Sequence, residues 1–334
     1  MSPLLFPLHR LLLVGVLHCV VAPAGAQTIR PEVEAFVEEM ATRHRFDPKA
    51  LRSVFARVQP RPNIVKAMSA PATARPWHEF REMYVDARRI EGGVRFWNDH
   101  AVLLERAARE FGVPAEILVA TIGIETRYGR QLGRVKVLEA LTTLAFDYPR
   151  RAAFFRNELE SFLLLGREQG WDYGEIRGSF AGAMGLPQFL PSSYRQYAVD
   201  FDSDGARNLW GQPADAVGSV ANYYRAFGWI EGQRVAIPVT LDEKAIAELE
   251  TGDIQPHRRI ADFVAAGAVV PPDVMPDALG TLIKTDTGAG LQYWIALQNF
   301  YVITRYNRSV NYAMAVWELA QTIAARRAAG GATG

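Results

Sequence analysis

Apolar residues recur three and four positions apart through most of this 334-residue chain, and that spacing commits it to packed helices. Val33, Phe36, Val37 and Met40 make one stripe. Leu51, Val54, Phe55 and Val58 make a second, entered through Asp47-Pro48, an N-cap followed by a first-turn proline. Trp97, His100, Ala101, Leu104, Ala108 and Phe111 predict one helix over 96–111. Gly112-Val-Pro114 breaks it, and Pro114 opens another helix running towards Glu125. Residues 138–146, 152–165 and about 311–327 are further amphipathic helices, and each of these stripes reads as core. After Gln233 the period changes. Val235, Ile237, Val239 and Leu241 alternate, as do Leu291, Tyr293, Ile295 and Leu297, so a small β-containing region is expected over 232–300. Pro238 places its strand at a sheet edge. The apolar share, 49%, is ample for a core.

The first 26 residues are of another kind. His9 and Arg10 precede the apolar run 11–17, and Ala22-Pro-Ala-Gly-Ala26 supplies an A-x-A site, which reads as a secretory leader cleaved after Ala26. The run is well short of the roughly 20 apolar residues a spanning helix needs. Cys19 as a lipoprotein anchor would follow Val16-Leu17-His18 in place of the small residues expected there, so simple secretion to the periplasm is the reading adopted. Cleavage would remove Arg10 alone among the charged residues, leaving 36 basic against 36 acidic, a balance that offers nucleic acid nothing. It would also remove the one cysteine, which excludes a thiol nucleophile, a disulfide framework and a Cys-rich zinc site. His44, His78, His100 and His257 are scattered and never four apart, which argues against a histidine zinc site or a serine triad.

The most informative stretch is Ala120-Thr-Ile-Gly-Ile-Glu-Thr-Arg-Tyr-Gly129. Glu125 follows Ile122 by three and Leu118 by seven, so it lies on an apolar stripe, and it sits in the last turn before Gly129, a natural helix stop. Desolvation and the negative end of the helix dipole both disfavour its charged form. A carboxylic acid that keeps its proton near neutral pH is what a general acid requires. The bland reading is a helix-end glutamate satisfied by Arg127 or Arg130, which would cancel the effect. A second unusual stretch runs from Gly178 to Pro191, where Gly178, Gly182, Gly185, Pro187 and Pro191 crowd together with Phe180, Met184, Leu186, Phe189 and Leu190. That mixture is too apolar for a solvated linker and predicts an ordered loop approached closely by a ligand or another backbone.

These two segments, with Asp147-Tyr-Pro-Arg-Arg151, Gly218-Ser-Val-Ala-Asn-Tyr-Tyr224, Gly228-Trp229 and Ile303-Thr-Arg-Tyr-Asn307, resemble the B-type lytic murein transglycosylases of glycoside hydrolase family 103. The resemblance spans about 30–325. It implies a mainly α (α+β) fold: a lysozyme-like helical core with an N-terminal helical domain and a small inserted β domain. The division it suggests is a leader at 1–26, an N-terminal helical region at 27–112, a catalytic core with an EF-hand-like loop at 113–231, the β-containing region at 232–300, and a C-terminal helix at 301–334 that completes the core.

The same resemblance implies cleavage of the bond between N-acetylmuramic acid and N-acetylglucosamine in peptidoglycan, leaving a 1,6-anhydro ring on the muramic acid. Glu125 matches the family's catalytic glutamate. An ordinary glycosidase needs two carboxylates flanking the bond; a transglycosylase manages with one, because the substrate's 6-hydroxyl is the nucleophile and its N-acetyl group stabilises the cationic centre. No second carboxylate stands in a comparable motif. Ser179 and Gln188 match cleft-lining residues able to hydrogen-bond Glu125 or an acetamido group. Tyr223, Tyr306, Asn307 and Tyr312 match groups around the same site, and Arg151 a basic residue suited to muropeptide carboxylates. Burial alone explains many such aromatics, and Arg151 on a solvated face would need no ligand. No cofactor is needed for the chemistry, the partner is the glycan strand, and a monomer is expected.

Asp200-Phe-Asp202-Ser-Asp204-Gly205-Ala206 places carboxylates at positions 1, 3 and 5 and glycine at 6 of an EF-hand-like loop, a pattern that wraps a hard cation such as Ca²⁺. Ala206 would offer its backbone carbonyl at position 7. Position 12 is Gly211 in place of a bidentate glutamate; the family's lengthened loop ends in a later aspartate, here Asp215, off by one residue. The ion would be structural, and an Asp/Gly turn without an ion is the alternative. Three rivals to the transglycosylase reading remain at this point: a hydrolytic muramidase of the same fold; a non-catalytic cell-wall scaffold, which would have no need of a poised acid; and a calcium sensor, which a single such loop supports weakly.

Overall fold

The computed structural model describes residues 29–69 and 75–331. The expected leader at 1–26 and Cys19 lie outside them. The described chain is mainly helical, with α1 (Pro31–His44), α2 (Pro48–Phe55), α3 (Pro62–Met68), α4 (Trp77–Tyr84), α5 (Ala87–Asp99), α6 (Ala101–Phe111), α7 (Ala115–Thr126) and α8 (Val137–Asp147) in its first half. There follow α9 (Ala152–Gln169), α10 (Pro191–Tyr197), α11 (Pro213–Ala226), α12 (Glu243–Leu249), α13 (Ile260–Ala265), α14 (Gln298–Tyr306) and α15 (Val310–Gly331). The strands are short: β1 (Val135–Lys136), β2 (Arg177–Gly178), β3 (Ala236–Val239), β4 (Arg258–Arg259), β5 (Leu279–Asp286) and β6 (Leu291–Ala296). No described helix is long and apolar enough to cross a membrane.

The described residues divide into two compact units, one up to Arg57 and one from Val58 onward. In the first, α1 ends where Arg45 turns left-handed at φ 58°, and Asp47 caps α2 by accepting the Lys49 N–H at 2.9 Å. The Phe36 and Phe55 rings meet edge-on at 6.1 Å and close the pair.

In the second unit α7 is the organising element. Its residues from Ile117 to Ile124 are all buried, so it is apolar around its whole circumference and behaves as the axis of a bundle. Helices α5, α6, α11 and α15 pack around it, and α8 lies against α9. The single helix expected over 96–111 is in fact two. The chain breaks at His100 (φ −124°), where Asn98-Asp99-His100 supplies three poor helix formers in a row, while the apolar period runs on through both halves. Gly112, left-handed at φ 71°, ends α6 as its sequence suggests.

The β region matches its alternation. A four-stranded antiparallel sheet has the order β3-β6-β5-β4, with Ile237 opposite Ile295 and Ile295 opposite Leu282. These residues, with Leu249, Ile260 and Phe263 from the flanking helices, form a core of their own. Pro238 lies on edge strand β3, where its missing N–H leaves no ladder bond unmade.

Candidate active site

The C-terminal turn of α7 is fixed on two sides. Thr126 donates its hydroxyl to the Leu186 carbonyl at 3.2 Å and accepts the Gly129 N–H at 3.1 Å, which ties the helix end to the glycine-rich loop. Arg127, Tyr128 and Gly129 then take left-handed conformations in succession (φ 49°, 59° and 85°), so the helix stops two residues earlier than Gly129 suggests. Such strain persists only where the surroundings over-determine it. Here the Tyr128 ring is folded back against α7: a Cβ on Gly123 would come within 2.4 Å of its hydroxyl, so residue 123 has to be glycine. The hydroxyl donates to the Arg89 carbonyl at 2.8 Å.

Glu125 is thereby held in place. It is half-buried, keeping some surface in reach of a ligand while protein encloses most of it. Burial pushes its carboxyl up from 4.5 to about 7, against the opposing pull of a hydrogen bond that the Tyr312 hydroxyl donates to Oε1 at 2.5 Å. Neither Arg127 nor Arg130 pairs with it, so the satisfied-glutamate alternative does not hold. Among the described residues no other carboxylate acts on its charge either, which leaves it a lone acid.

Four tyrosines gather round it from distant parts of the chain. The Tyr312 ring, from α15, lies parallel to Tyr306 within 11°, with centroids 6.3 Å apart. Tyr306 packs against Tyr223 (4.9 Å) and Tyr224 (5.7 Å) of α11, and the Glu125 charge acts on all four phenols. Burial holds each phenol well above its ordinary value, so each stays neutral and able to donate. Three of the hydroxyls are committed elsewhere: Tyr306 donates to Pro187 O (2.6 Å), Tyr223 to Arg305 O (2.6 Å), and Tyr224 bonds Thr121 Oγ1 (2.8 Å). Only Tyr312 reaches the acid. Tyr224 and Thr121 were not anticipated from sequence; Thr121 lies one helical turn before Glu125, which was the available signal.

The glycine-rich loop is ordered, and what approaches it is another backbone. A Cβ on Gly185 (φ +71°) would lie 2.5 Å from the Leu209 carbonyl oxygen, and one on Gly178 2.1 Å from that of Ala183. Ser179 and Gln188 serve this loop. Ser179 Oγ accepts the N–H groups of Ala181 and Ala183 at 3.2 and 3.1 Å. Gln188, left-handed at φ 49°, donates its amide to Gly185 O (2.9 Å) and Leu132 O (3.3 Å). Neither bonds Glu125 here: a loop this tight satisfies its own backbone first. Asn307 is exposed, and its carbonyl accepts the Ser309 N–H. Arg151 is exposed in a short 3₁₀ turn, its guanidinium 4.1 Å over the Phe154 ring, and it makes no contact with Glu125.

Asp200, Asp202 and Asp204 bring carboxylate oxygens within 4.8 Å of one another, the start of an oxygen cage. Gly205 (φ 91°) makes the turn after them. Asp215 does not join that group. It is buried, and its two oxygens accept the N–H groups of Phe201 and Asn208, both at 2.7 Å, so it braces both sides of the loop from beneath. Burial, and the nearby negative charge of Asp202 and Asp200, push its carboxyl up. Three converging carboxylates and the carbonyl of Ala206 suit a hard cation, which would relieve that crowding of charge.

The sequence signature described as Transglycosylase SLT domain matches residues 28–321. Membrane-bound lytic murein transglycosylase B of Escherichia coli (strain K12) is 41% identical over 320 residues, 93% of this chain and 87% of that protein. The fold is similar to the crystal structure of soluble lytic transglycosylase SltB1 from Pseudomonas aeruginosa, with TM-score 0.84 and 46% identity over 89% of this chain and all of that one. It is also similar to the Escherichia coli lytic transglycosylase Slt35 in complex with calcium, with TM-score 0.82 and 42% identity over 89% of this chain and 94% of that one. These neighbours place the fold among the lysozyme-like helical enzymes. The chain belongs to the SLT-domain lytic transglycosylases of the murein transglycosylase B type.

Proposed function

We propose that this protein cuts the glycosidic bond between N-acetylmuramic acid and N-acetylglucosamine in peptidoglycan, with Glu125 as its single acid and base. The observation that carries this reading is the half-buried Glu125 carboxyl, pushed up to about 7 with no other carboxylate acting on it. At neutral pH about half of the molecules then carry the proton, against well under a hundredth for an ordinary glutamate. Glu125 gives that proton to the bridging oxygen as the bond to the anomeric carbon breaks. The acetamido group shields the cationic centre on the muramic acid. The carboxylate left behind, still bonded by Tyr312, takes the proton of the sugar's own 6-hydroxyl as its oxygen closes on the anomeric carbon. The proton is regained, no water is consumed, and the anhydro ring results.

The parts that act in this reading come from α7, α11, α14 and α15, which supports treating residues 113–231 and 301–334 as one catalytic core with 232–300 set into it. Ser179, Gln188 and Asn307 line the cleft, the first two by shaping its loop, and Tyr223 and Tyr306 form its aromatic wall behind Tyr312. Arg151, exposed over the Phe154 ring, would meet a peptide carboxylate. Murein lies in the periplasm, so the protein acts there. Asp200, Asp202, Asp204 and the Ala206 carbonyl hold a structural Ca²⁺, a reading supported by the calcium complex of the similar Slt35. Bound there, the ion would cross-link the loop, and the chemistry does not call on it. Mass spectrometry of digested murein tests the whole: products lighter than hydrolysed muropeptides by one water are expected, with none formed by Glu125→Gln. Water-added products would assign the muramidase reaction instead.

A further inference from the structure

Four arginines line one cavity beside the C-terminal turn of α7. The cavity, about 190 Å³, is bounded by Arg88, Arg89, Arg127 and Arg130 together with Asp86 and Gln131. Asp86 is its one acid, and that carboxylate is already committed: it accepts the Arg89 backbone N–H at 3.0 Å and Arg89 Nη1 at 2.8 Å, capping α5. Arg89 is buried, and its other donors go to the carbonyls of Met83 (2.7 Å) and Gly123 (3.1 Å). Arg127 differs. Its Nε is buried and meets no acceptor, and its charge repels that of Arg89. Arg88 and Arg130 are exposed and form no ion pair among the described residues. An outer cavity of about 540 Å³ shares Arg88, Arg127 and Asp86 and is lined also by the exposed Glu82.

A buried guanidinium N–H without a partner costs free energy, and such groups persist where an acceptor arrives from outside. Planar guanidinium forks around a small cavity suit a carboxylate, held by paired charge-assisted hydrogen bonds. We propose that this cavity binds a carboxylate. On the murein reading above, on which the source of that group rests, the carboxylate belongs to the peptide stem carried by the muramic acid of the strand being cut. In a strand that carries its stems the lactyl carboxyl of muramic acid is tied up as an amide, so the sugars are uncharged and a cluster of cations gains nothing from them. The distance fits as well: Arg127 is two positions after Glu125, so their Cα atoms lie within about 7.6 Å, and a peptide extends about 3.3–3.6 Å per residue. The cavity would therefore set a preference for peptide-bearing strands, from a place in the fold separate from Arg151 and its Phe154 platform.

The test compares kcat/KM on murein strands with their stem peptides and on strands stripped of them by an amidase, the lactyl carboxylates so exposed being capped as methyl amides. In the double variant Arg88→Gln/Arg130→Gln, two exposed substitutions that leave the buried Arg89 network intact, the ratio of the two should fall about tenfold through KM. Arg127→Lys should lower it as well, because lysine keeps the charge and loses the fork. An unchanged ratio overturns the inference. Calorimetric titration with L-alanyl-γ-D-glutamate separates the source: wild-type protein should bind the dipeptide and the double variant should lose it. If acetate binds as tightly as the dipeptide, the stem peptide is not the source. Wild-type protein that cuts neither kind of strand would defeat the murein reading, while the dipeptide titration would still judge the cavity.

Discussion

Replacing Glu125 with glutamine should stabilise this protein at alkaline pH and leave it unchanged in acid. A carboxyl whose value rises from 4.5 unfolded to about 7 folded is ionised more readily by the unfolded chain. Below pH 4.5 the proton is on in both states and the group contributes nothing to the pH dependence. Between 4.5 and about 7 the folded state binds more protons than the unfolded one, so stability falls as pH rises. Above about 7 the native fold carries the full cost of an ionised, enclosed carboxylate. The displacement corresponds to about 3 kcal/mol, and solvent contact at the half-buried side chain brings the expected range to about 1–3 kcal/mol. Glutamine has the same shape, keeps an oxygen for the Tyr312 hydroxyl to donate to, and never ionises. Thermal or urea unfolding of both proteins from about pH 4 to about pH 8 should show the curves together in acid, the variant increasingly more stable from about pH 5 to about pH 7, and a constant gap above that. Equal stability across the range, or a gap that opens towards acid, would refute the reasoning.

Four further outcomes are expected. Tyr312→Phe removes the hydrogen bond that favours the carboxylate, so Glu125 should hold its proton to higher pH and the alkaline limb of the pH–rate profile should move up. Gly185→Ala should cost about 2 kcal/mol or more in urea unfolding, because it adds a Cβ at φ +71° within 2.5 Å of the Leu209 carbonyl. Tyr224→Phe should cost about 1 kcal/mol through loss of the bond to Thr121, read by the same assay. Calcium should raise the melting temperature and a chelator should lower it, with Asp202→Asn blunting both, while activity well below the melting point stays the same.

What could be read from the sequence followed from local rules. Glu125 stood out because three-residue spacing put it on the apolar side of a helix whose end was marked by Gly129, and the fold keeps it there. Pro238 on an edge strand and the alternation of β6 were equally local. β5 went unread because Gly280, Thr281, Leu282 and Ile283 are buried one after another on an inner strand, which erases the period of two. The break at His100 was hidden because the stripe continues across it. Pairings over long separations had no local signal, and for Tyr312 the family resemblance alone supplied one. Tyr312 lies 187 residues from the carboxyl it bonds, and the arginines of the cavity come from α5 and from the turn after α7. The loop bonds of Ser179 and Gln188 were unread for a related reason: only the folded loop shows which carbonyls and amides need a partner.

The proton on Glu125 can be followed directly. Protein carrying ¹³C at the glutamate δ-carbons gives one resonance that disappears in Glu125→Gln, and its titration reports this carboxyl alone. A midpoint near 7 is expected, moving up further in Tyr312→Phe. A midpoint near 4.5 would mean that the enclosure of Glu125 does not hold a proton on it, and the single-acid chemistry drawn from that enclosure would have to be abandoned.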